Sequence, residues 1–423
     1  MIDIVKLLGE NKDTDGYRVI CSKSESYELF FVHRELETVR ATDTTQLSVT
    51  VYVDHDGKKG DSTFAVYESM SEDEVRSKIK QAADRARLVF NEPYDLVEGG
   101  TLQAELESNL KEEEPRILAA KIADAVFSAD CGKGGSINAT EIFLYRDTVR
   151  VINSRGVDKT QIKYRGMIEA IPTYTDENGS VELYEAYRFT EFDPEKIKKE
   201  ISGKMKEVSL RHSAVKPETP LKADVILREG EIETLMSELS GDLNYAGVYS
   251  RANLHHKGDE LQPEGCDRLN LTMSGRIRGS GSSAFFDGDG SALTDTQILR
   301  DGKVVSYYGA HRFASYLGEP ETGDLHCMKL SPGTLTETEL EKSVYIECVS
   351  LSGLQVDLYN DYIGGEIRLA YLHENGKVRP VTGITMSAKL SDILGALRLS
   401  DTETVHDNYA GPDKLMMRNV TLM

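Results

Sequence analysis

Residues 213–222 read Ser-Ala-Val-Lys-Pro-Glu-Thr-Pro-Leu-Lys, with two prolines and no apolar period. Such a stretch neither continues a helix nor alternates as a strand, so it reads as a linker. It divides the chain into an N-terminal unit, 1–212, and a C-terminal unit, 223–423. On its N-terminal side, Asp193-Pro194 sets an N-cap and a first-turn proline ahead of Ile197, Ile201, Met205 and Val208 at helical spacing. On its C-terminal side a short helix starting near 231 gives way to β segments after 265. Asp301-Gly302 and Asn375-Gly376 serve as hairpin turns there, and one late helix lies near 389–398.

The N-terminal unit alternates hairpins with helices. Residues 17–32 and 47–53 are rich in Val, Tyr and Phe and read as strands, with Asp56-Gly57 turning into 62–68. Ser71 and Glu74 form a capping box before Val75, Ile79, Ala82, Ala83, Ala86 and Val89. A second helix opens at Pro115, with Ile117, Leu118, Ile122, Ala125 and Val126 as its apolar face. Strands return over 136–192, with Asn178-Gly179 as a turn. Helices and strands in separate blocks, joined by hairpins, predict an α+β fold: a helix-and-hairpin domain followed by a mainly antiparallel β domain.

Composition narrows the function. The 423 residues hold 71 acids against 50 bases, a formal charge of −21. A surface that acidic repels phosphate backbones and anionic lipid, so neither nucleic acid nor membrane is an expected partner. No apolar run reaches the ~20 residues that span a bilayer, and the N-terminus shows no secretory leader. The cytoplasm is therefore expected. Five scattered cysteines without CxxC spacing argue against a disulfide framework and a structural zinc cluster.

Several motifs fall away on inspection. Gly279-Ser280-Gly281-Ser282-Ser283-Ala284 fits a dinucleotide fingerprint, but Phe285-Phe286-Asp287-Gly288-Asp289-Gly290 reads as strand and turn where a helix is required. Asp287 and Asp289 begin like a calcium loop, yet Ala292 and Ile298 stand at its essential Gly and Glu positions, so a tight turn is expected. Adjacent His255 and His256 point in different directions and read as an exposed loop. Cys131-Gly132-Lys133-Gly134-Gly135 lacks the order of a P-loop.

The remaining candidate is Ser237-Glu238-Leu239-Ser240-Gly241-Asp242. Glu238 and Asp242 are four apart and would project from one helix face, where paired carboxylates can do acid–base work or hold a hard cation. The same pair is common on solvated helices.

Other segments carry a resemblance. Val149-Arg150-Val151-Ile152-Asn153-Ser154-Arg155-Gly156, the acidic glycine turn and hairpin of 285–318, and the Glu-Asn-Gly hairpin and Pro-Val strand of 373–390 come in order and at the right spacing. Together they resemble the TldD/PmbA family, over nearly the whole chain, with a departure at Leu358-Tyr359-Asn360. The resemblance implies that metal-binding members carry His-Glu-x-x-x-His, with a third ligand from a C-terminal Gly-Thr-Cys-Gly. Here Ser237 and Asp242 stand at the histidines and Ala410 at the cysteine, while Glu238 and Gly241 are kept. In a zincin-type site neutral imidazoles hold the metal and the Glu activates its bound water. These residues therefore form a degenerate motif with no catalytic residue, no metal and no cofactor; zinc is expected only in a sister subunit.

The implied function is the metal-free subunit of a cytosolic metalloprotease assembly that matures or degrades unfolded peptides. The implied partner is a TldD-like sister, or a second copy of the chain. The family label "modulator of DNA gyrase" would then describe an indirect effect. Two alternatives are a self-sufficient homodimeric peptidase using Glu238 and Asp242, and a peptide-binding protein. The segments 343–351 and 363–373 are expected to leave β edges that a dimer would cover.

Overall fold

The computed structural model describes residues 3–130, 134–218, 221–263, 265–374 and 376–423. Cys131, expected as a thiol, and Asn375, expected in a turn, lie outside them. The fold is α+β, as the blocks of periodicity predict.

In the N-terminal half, helix α1 (Ile4–Glu10) precedes the hairpin of β1 (Gly16–Val32) and β2 (Glu35–His55), which continues into β3 (Lys58–Val66). Helix α2 (Glu72–Ala86) carries the full capping box, with Ser71 accepting from the Glu74 N–H and Glu74 reaching back. After β4 (Thr101–Glu105) and α3 (Pro115–Ser128), β5 (Gly135–Asn153) and β6 (Asp158–Asp176) form a second long hairpin. Short β7 (Gly179–Glu182) and β8 (Glu185–Phe189) pair with β6, and α4 (Pro194–Ser213) closes the half. The sheet order is β3-β2-β1-β5-β6-β4. Helices α1 and α2 bury Leu7, Leu8, Val75 and Ile79 against Val49, Val51 and Phe64. Helices α3 and α4 bury Leu118, Ile122, Ile197 and Ile201 against Ile142, Leu144 and Ile168.

The second half opens with β9 (Leu221–Arg228), α5 (Glu229–Asp242) and α6 (Tyr245–Ser250). A sheet follows from β10 (Leu271–Ser274), β11 (Thr296–Arg300), β12 (Lys303–Val304) and β13 (Cys327–Leu330), with α7 (His311–Leu317) between the last two. After α8 (Glu337–Leu340) come β14 (Tyr345–Leu351), β15 (Gln355–Asp357), β16 (Tyr362–Glu374), β17 (Lys377–Val381) and β18 (Ile384–Lys389). The chain ends with α9 (Leu390–Leu394), β19 (Arg398–Leu399), β20 (Glu403–His406), β21 (Tyr409–Pro412) and β22 (Lys414–Leu422).

Strands β14-β9-β22-β18-β16 lie side by side, and β16 pairs back onto β14. That closes a five-stranded barrel. Its core, with Val225, Leu227, Ile346, Ile367 and Leu415, runs on beneath α5 and the six-stranded sheet β12-β11-β10-β13-β21-β20.

Several expectations need correction. The strands at 343–351 and 363–373 are largely covered within the chain: β14 lies between β9, over Tyr345–Glu347, and β16, and β16 lies between β14 and β18. A long open edge lies instead on β2: residues 35–46 pair only with β1 and are mostly exposed, including Leu36 and Val39. The sequence pattern places a strand only from 47, because the polar run 35–46 shows no inward face. Ile117 is 50% exposed rather than part of the α3 core, and Val89 lies beyond the end of α2. The turn between β6 and β7 is Glu177-Asn178, one residue earlier than expected, with Gly179 already in the ladder opposite Asp176. The late helix is shorter than 389–398. Asp301-Gly302 does form its turn, with φ of 47° and 68°.

Candidate functional site

Helix α5 takes its orientation from Ile232, Leu235, Met236 and Leu239, all buried at helical spacing against the β13, β20 and β21 side of the six-stranded sheet. Glu229 and Glu231 favour its N-terminal turn. The opposite face therefore presents Ser237, Glu238 and Gly241 outward, and all three are exposed. A Cβ on Gly241 would meet nothing within 4 Å, so packing does not require glycine there.

Two of the degenerate positions converge. The Ser237 hydroxyl donates to the Met328 Sδ at 3.9 Å, and the Ser240 hydroxyl lies 3.8 Å from the same sulfur. Met328 belongs to β13, which pairs in parallel with β21, setting Lys329 opposite Ala410. Ser237 and Ala410 thus flank one strand, and the group Ser237 finds there is a buried thioether. Asp242 is held elsewhere. Its side chain is 3% exposed. It accepts from the Leu254 N–H at 2.6 Å, the His255 N–H at 3.0 Å and His255 Nδ1 at 2.9 Å. Burial works against its charge, but the His255 ring and the two amides outweigh that and hold its pKa below the usual carboxylate range.

A zinc site needs about four good donors converging near 2 Å. Here the inherited positions supply an exposed hydroxyl, a carboxylate already satisfied by three donors, and a methyl group. These residues do not fit zinc. Glu238 is exposed, whereas Asp242 is tied into the 254–255 turn. His255 and His256 do lie in a loop, as expected, but His255 is half-buried and anchors the turn after α6 through Asp242.

A cluster the sequence reading passed over lies one turn earlier on α5. Glu233, His406 and Asp407 bring one ligand atom each within 4.8 Å of one another. His406 Nδ1 sits 2.8 Å from Glu233, and Asp407 accepts from Arg188 of β8 at 2.9 Å. Burial alone would lower the His406 pKa, but the Glu233 hydrogen bond and the charges of Asp407 and Glu229 raise it. His406 Nδ1 is thus engaged by Glu233 and Asp407 by Arg188, so the cluster as built is a hydrogen-bonded chain of side chains. No spacing signal links 233 to 406; only the β20–β21 turn brings them together.

Other passed-over motifs resolve as structure. Asp287 accepts from the backbone N–H groups of Asp289, Ser291 and Asp324, which makes the expected tight turn, and Asp289 pairs with Arg18. No helix follows Gly279–Ala284, as the rejection of a dinucleotide site requires.

Two cavities meet at the Arg188–Asp407 pair, which lines both. The first, about 570 Å³, has strands β1, β5 and β6 as its floor and the 279–282 loop with the β20–β21 turn as its opposite wall. The second, about 650 Å³, lies between α4, β8 and α5. Two of its cations are paired: Arg228 reaches Glu207 at 3.0 Å and Glu347 at 2.8 Å, and Lys204 reaches Glu185 at 3.2 Å and Glu207 at 3.0 Å.

The profile of the PmbA/TldA metallopeptidase C-terminal domain matches residues 220–422. No curated protein matches in sequence. Among solved structures, TldE from Thermococcus kodakarensis superposes with a TM-score of 0.81 at 15% identity, over 99% of both chains. A proposed modulator of DNA gyrase from Bacteroides thetaiotaomicron gives 0.81 at 16%, over 99% of this chain and 96% of that one. One from Thermotoga maritima gives 0.78 at 17%, over 96% of each. At such identities the likeness is one of fold, and it runs nearly end to end. Residues 220–422 therefore belong to the PmbA/TldA metallopeptidase C-terminal domain family, within a chain that has the fold of TldE from end to end.

Proposed function

We propose that this chain is a metal-free subunit of a TldD/PmbA-type peptidase assembly, which receives unfolded peptide and depends on a histidine-bearing sister for hydrolysis. The observation that carries the reading is the donor set at the inherited positions: the Ser237 hydroxyl against a thioether, Asp242 consumed by the 254–255 turn, and the Ala410 methyl. Metal-assisted hydrolysis needs a bound water of lowered pKa, and no residue set at these positions would create one. The rival reading, a self-sufficient peptidase, needs Glu238 and Asp242 to act together, which the His255 bonds oppose.

Assembly is supported by the open edge of β2. A strand that is paired on one side only over residues 35–46 and exposes Leu36 and Val39 invites pairing with another chain. The proposed partner is the sister subunit, or a second copy of this chain in its absence, through an interface above ~1,600 Å². Co-expression with a family member carrying His-Glu-x-x-x-His tests both parts. The expected result is a stable mixed complex that degrades casein-like peptides and is silenced by mutating the sister's Glu but not by Glu238→Gln. Activity lost with Glu238→Gln would overturn the reading.

A further inference from the structure

The first cavity contains a charge that its surroundings do not balance. Its floor has Arg165, which donates to Asp147 at 2.6 Å and stacks 4.0 Å over the Tyr145 ring. The other Asp147 oxygen accepts from the Ser24 hydroxyl at 2.7 Å, so each oxygen of this carboxylate has a donor. At the shared wall, Arg188 and Asp407 neutralise each other. Lys163 has no such partner. Its ammonium donates to the Gly281 carbonyl at 3.0 Å, and among the described residues no carboxylate lies within ion-pairing distance of it.

Position explains why the lysine is there. Lys159, Gln161 and Lys163 alternate along one face of β6 and bond to Gly290, Phe286 and Gly281 of the C-terminal half. This row docks the two halves. A carbonyl satisfies one of the three ammonium donors and leaves the charge uncompensated. Partial burial accordingly pulls the Lys163 pKa down, and the charge on Asp147 only partly offsets it.

We propose that this cavity binds a carboxylate of an unfolded peptide, with Lys163 as its counter-ion. The inference rests on the peptide-handling reading above and names the chemistry it selects. Tyr145, Met167 and Phe189 line the same space and suit the apolar part of a peptide. A monoanion fits better than a phosphate. Among the described residues Lys163 is the lining Lys or Arg without a carboxylate partner, and one such cation balances one negative charge rather than two. The volume, about 570 Å³, suits a few residues rather than a folded domain. The carboxylate could come from the chain terminus or from an Asp or Glu side chain.

The test is fluorescence anisotropy on the chain assembled with its sister, using one labelled unfolded peptide in three forms. These have a free C-terminal carboxylate, a C-terminal amide, or an amide with one internal Glu added. The amide is expected to bind about tenfold more weakly than at least one charged form, as for a charge-assisted hydrogen bond lost. Whichever charged form binds tightly identifies the source. Lys163→Gln should erase the difference and Lys163→Arg should keep most of it. Acetylation of Lys163 in the unmutated chain, read by mass spectrometry, should be slowed by the charged peptide and not by the amide; this arm does not depend on a variant that folds. Equal affinity for all three forms, or a difference that survives Lys163→Gln, would overturn the inference and leave peptide handling intact. Competition by inorganic phosphate alone would reassign the site to a free anion. If no peptide form binds, the underlying reading fails with it.

Discussion

Asp242 Oδ2 lies 2.9 Å from His255 Nδ1, and the same carboxylate caps the N–H groups of Leu254 and His255. The residue that stands where the resemblance places a metal ligand is thus a bracket between the end of α5 and the turn after α6. Removing it strands three donors. Asp242→Ala should destabilise the fold by about 1–3 kcal/mol, the usual worth of hydrogen bonds to a charged group. Denaturant unfolding measures it, and faster amide exchange at 254–256 should accompany it. An unchanged midpoint would mean the bracket is incidental.

The same carboxylate gives a pH dependence. Its folded pKa is depressed, so its contribution is complete above the unfolded value of about 3.9 and is lost as pH falls through the lower folded value. Acid titration should therefore show a steeper loss of stability below about pH 4 in the native chain than in Asp242→Asn. Parallel curves would contradict the assignment.

Barrel closure can be tested at Ile367, fully buried where β16 leaves β18 and meets β14. Ile367→Ala should cost about 2–5 kcal/mol, the range for deleting a large buried aliphatic side chain. Thermal melting reads the loss directly. A cost under about 1 kcal/mol would mean that the junction is not tightly packed.

Much of the fold was legible because local chemistry and burial agreed. The Ser71–Glu74 box, the Asp193-Pro194 entry and the 197/201/205/208 stripe all became what their patterns imply. The open half of β2 was not legible. With no buried face, residues 35–46 carry no alternation, and only the pairing partner β1 makes them a strand. Barrel closure was equally hidden, since a strand's sequence does not say which distant strand it meets. At the site, the Ser237 and Ala410 positions could be found by motif, but Glu233 with His406, and Lys163 with Gly281, are joined by topology across more than 100 residues.

The open edge also bears on assembly. Val39→Lys together with Leu36→Lys places charge on exposed apolar positions of β2 and should leave the fold intact while weakening association. Light scattering at micromolar concentration is expected to show a dimer for the native chain and a shift toward monomer for the variant. An unaffected dimer would place the interface elsewhere.

The central claim is that this chain does not hydrolyse peptides by itself because Ser237, Asp242 and Ala410 cannot hold zinc. Its most direct test is elemental analysis of the purified chain alongside proteolysis of an unfolded, casein-like substrate, with and without added zinc. The account predicts well under one zinc per chain and no chelator-sensitive cleavage. Near-stoichiometric zinc accompanied by chelator-sensitive cleavage would contradict it.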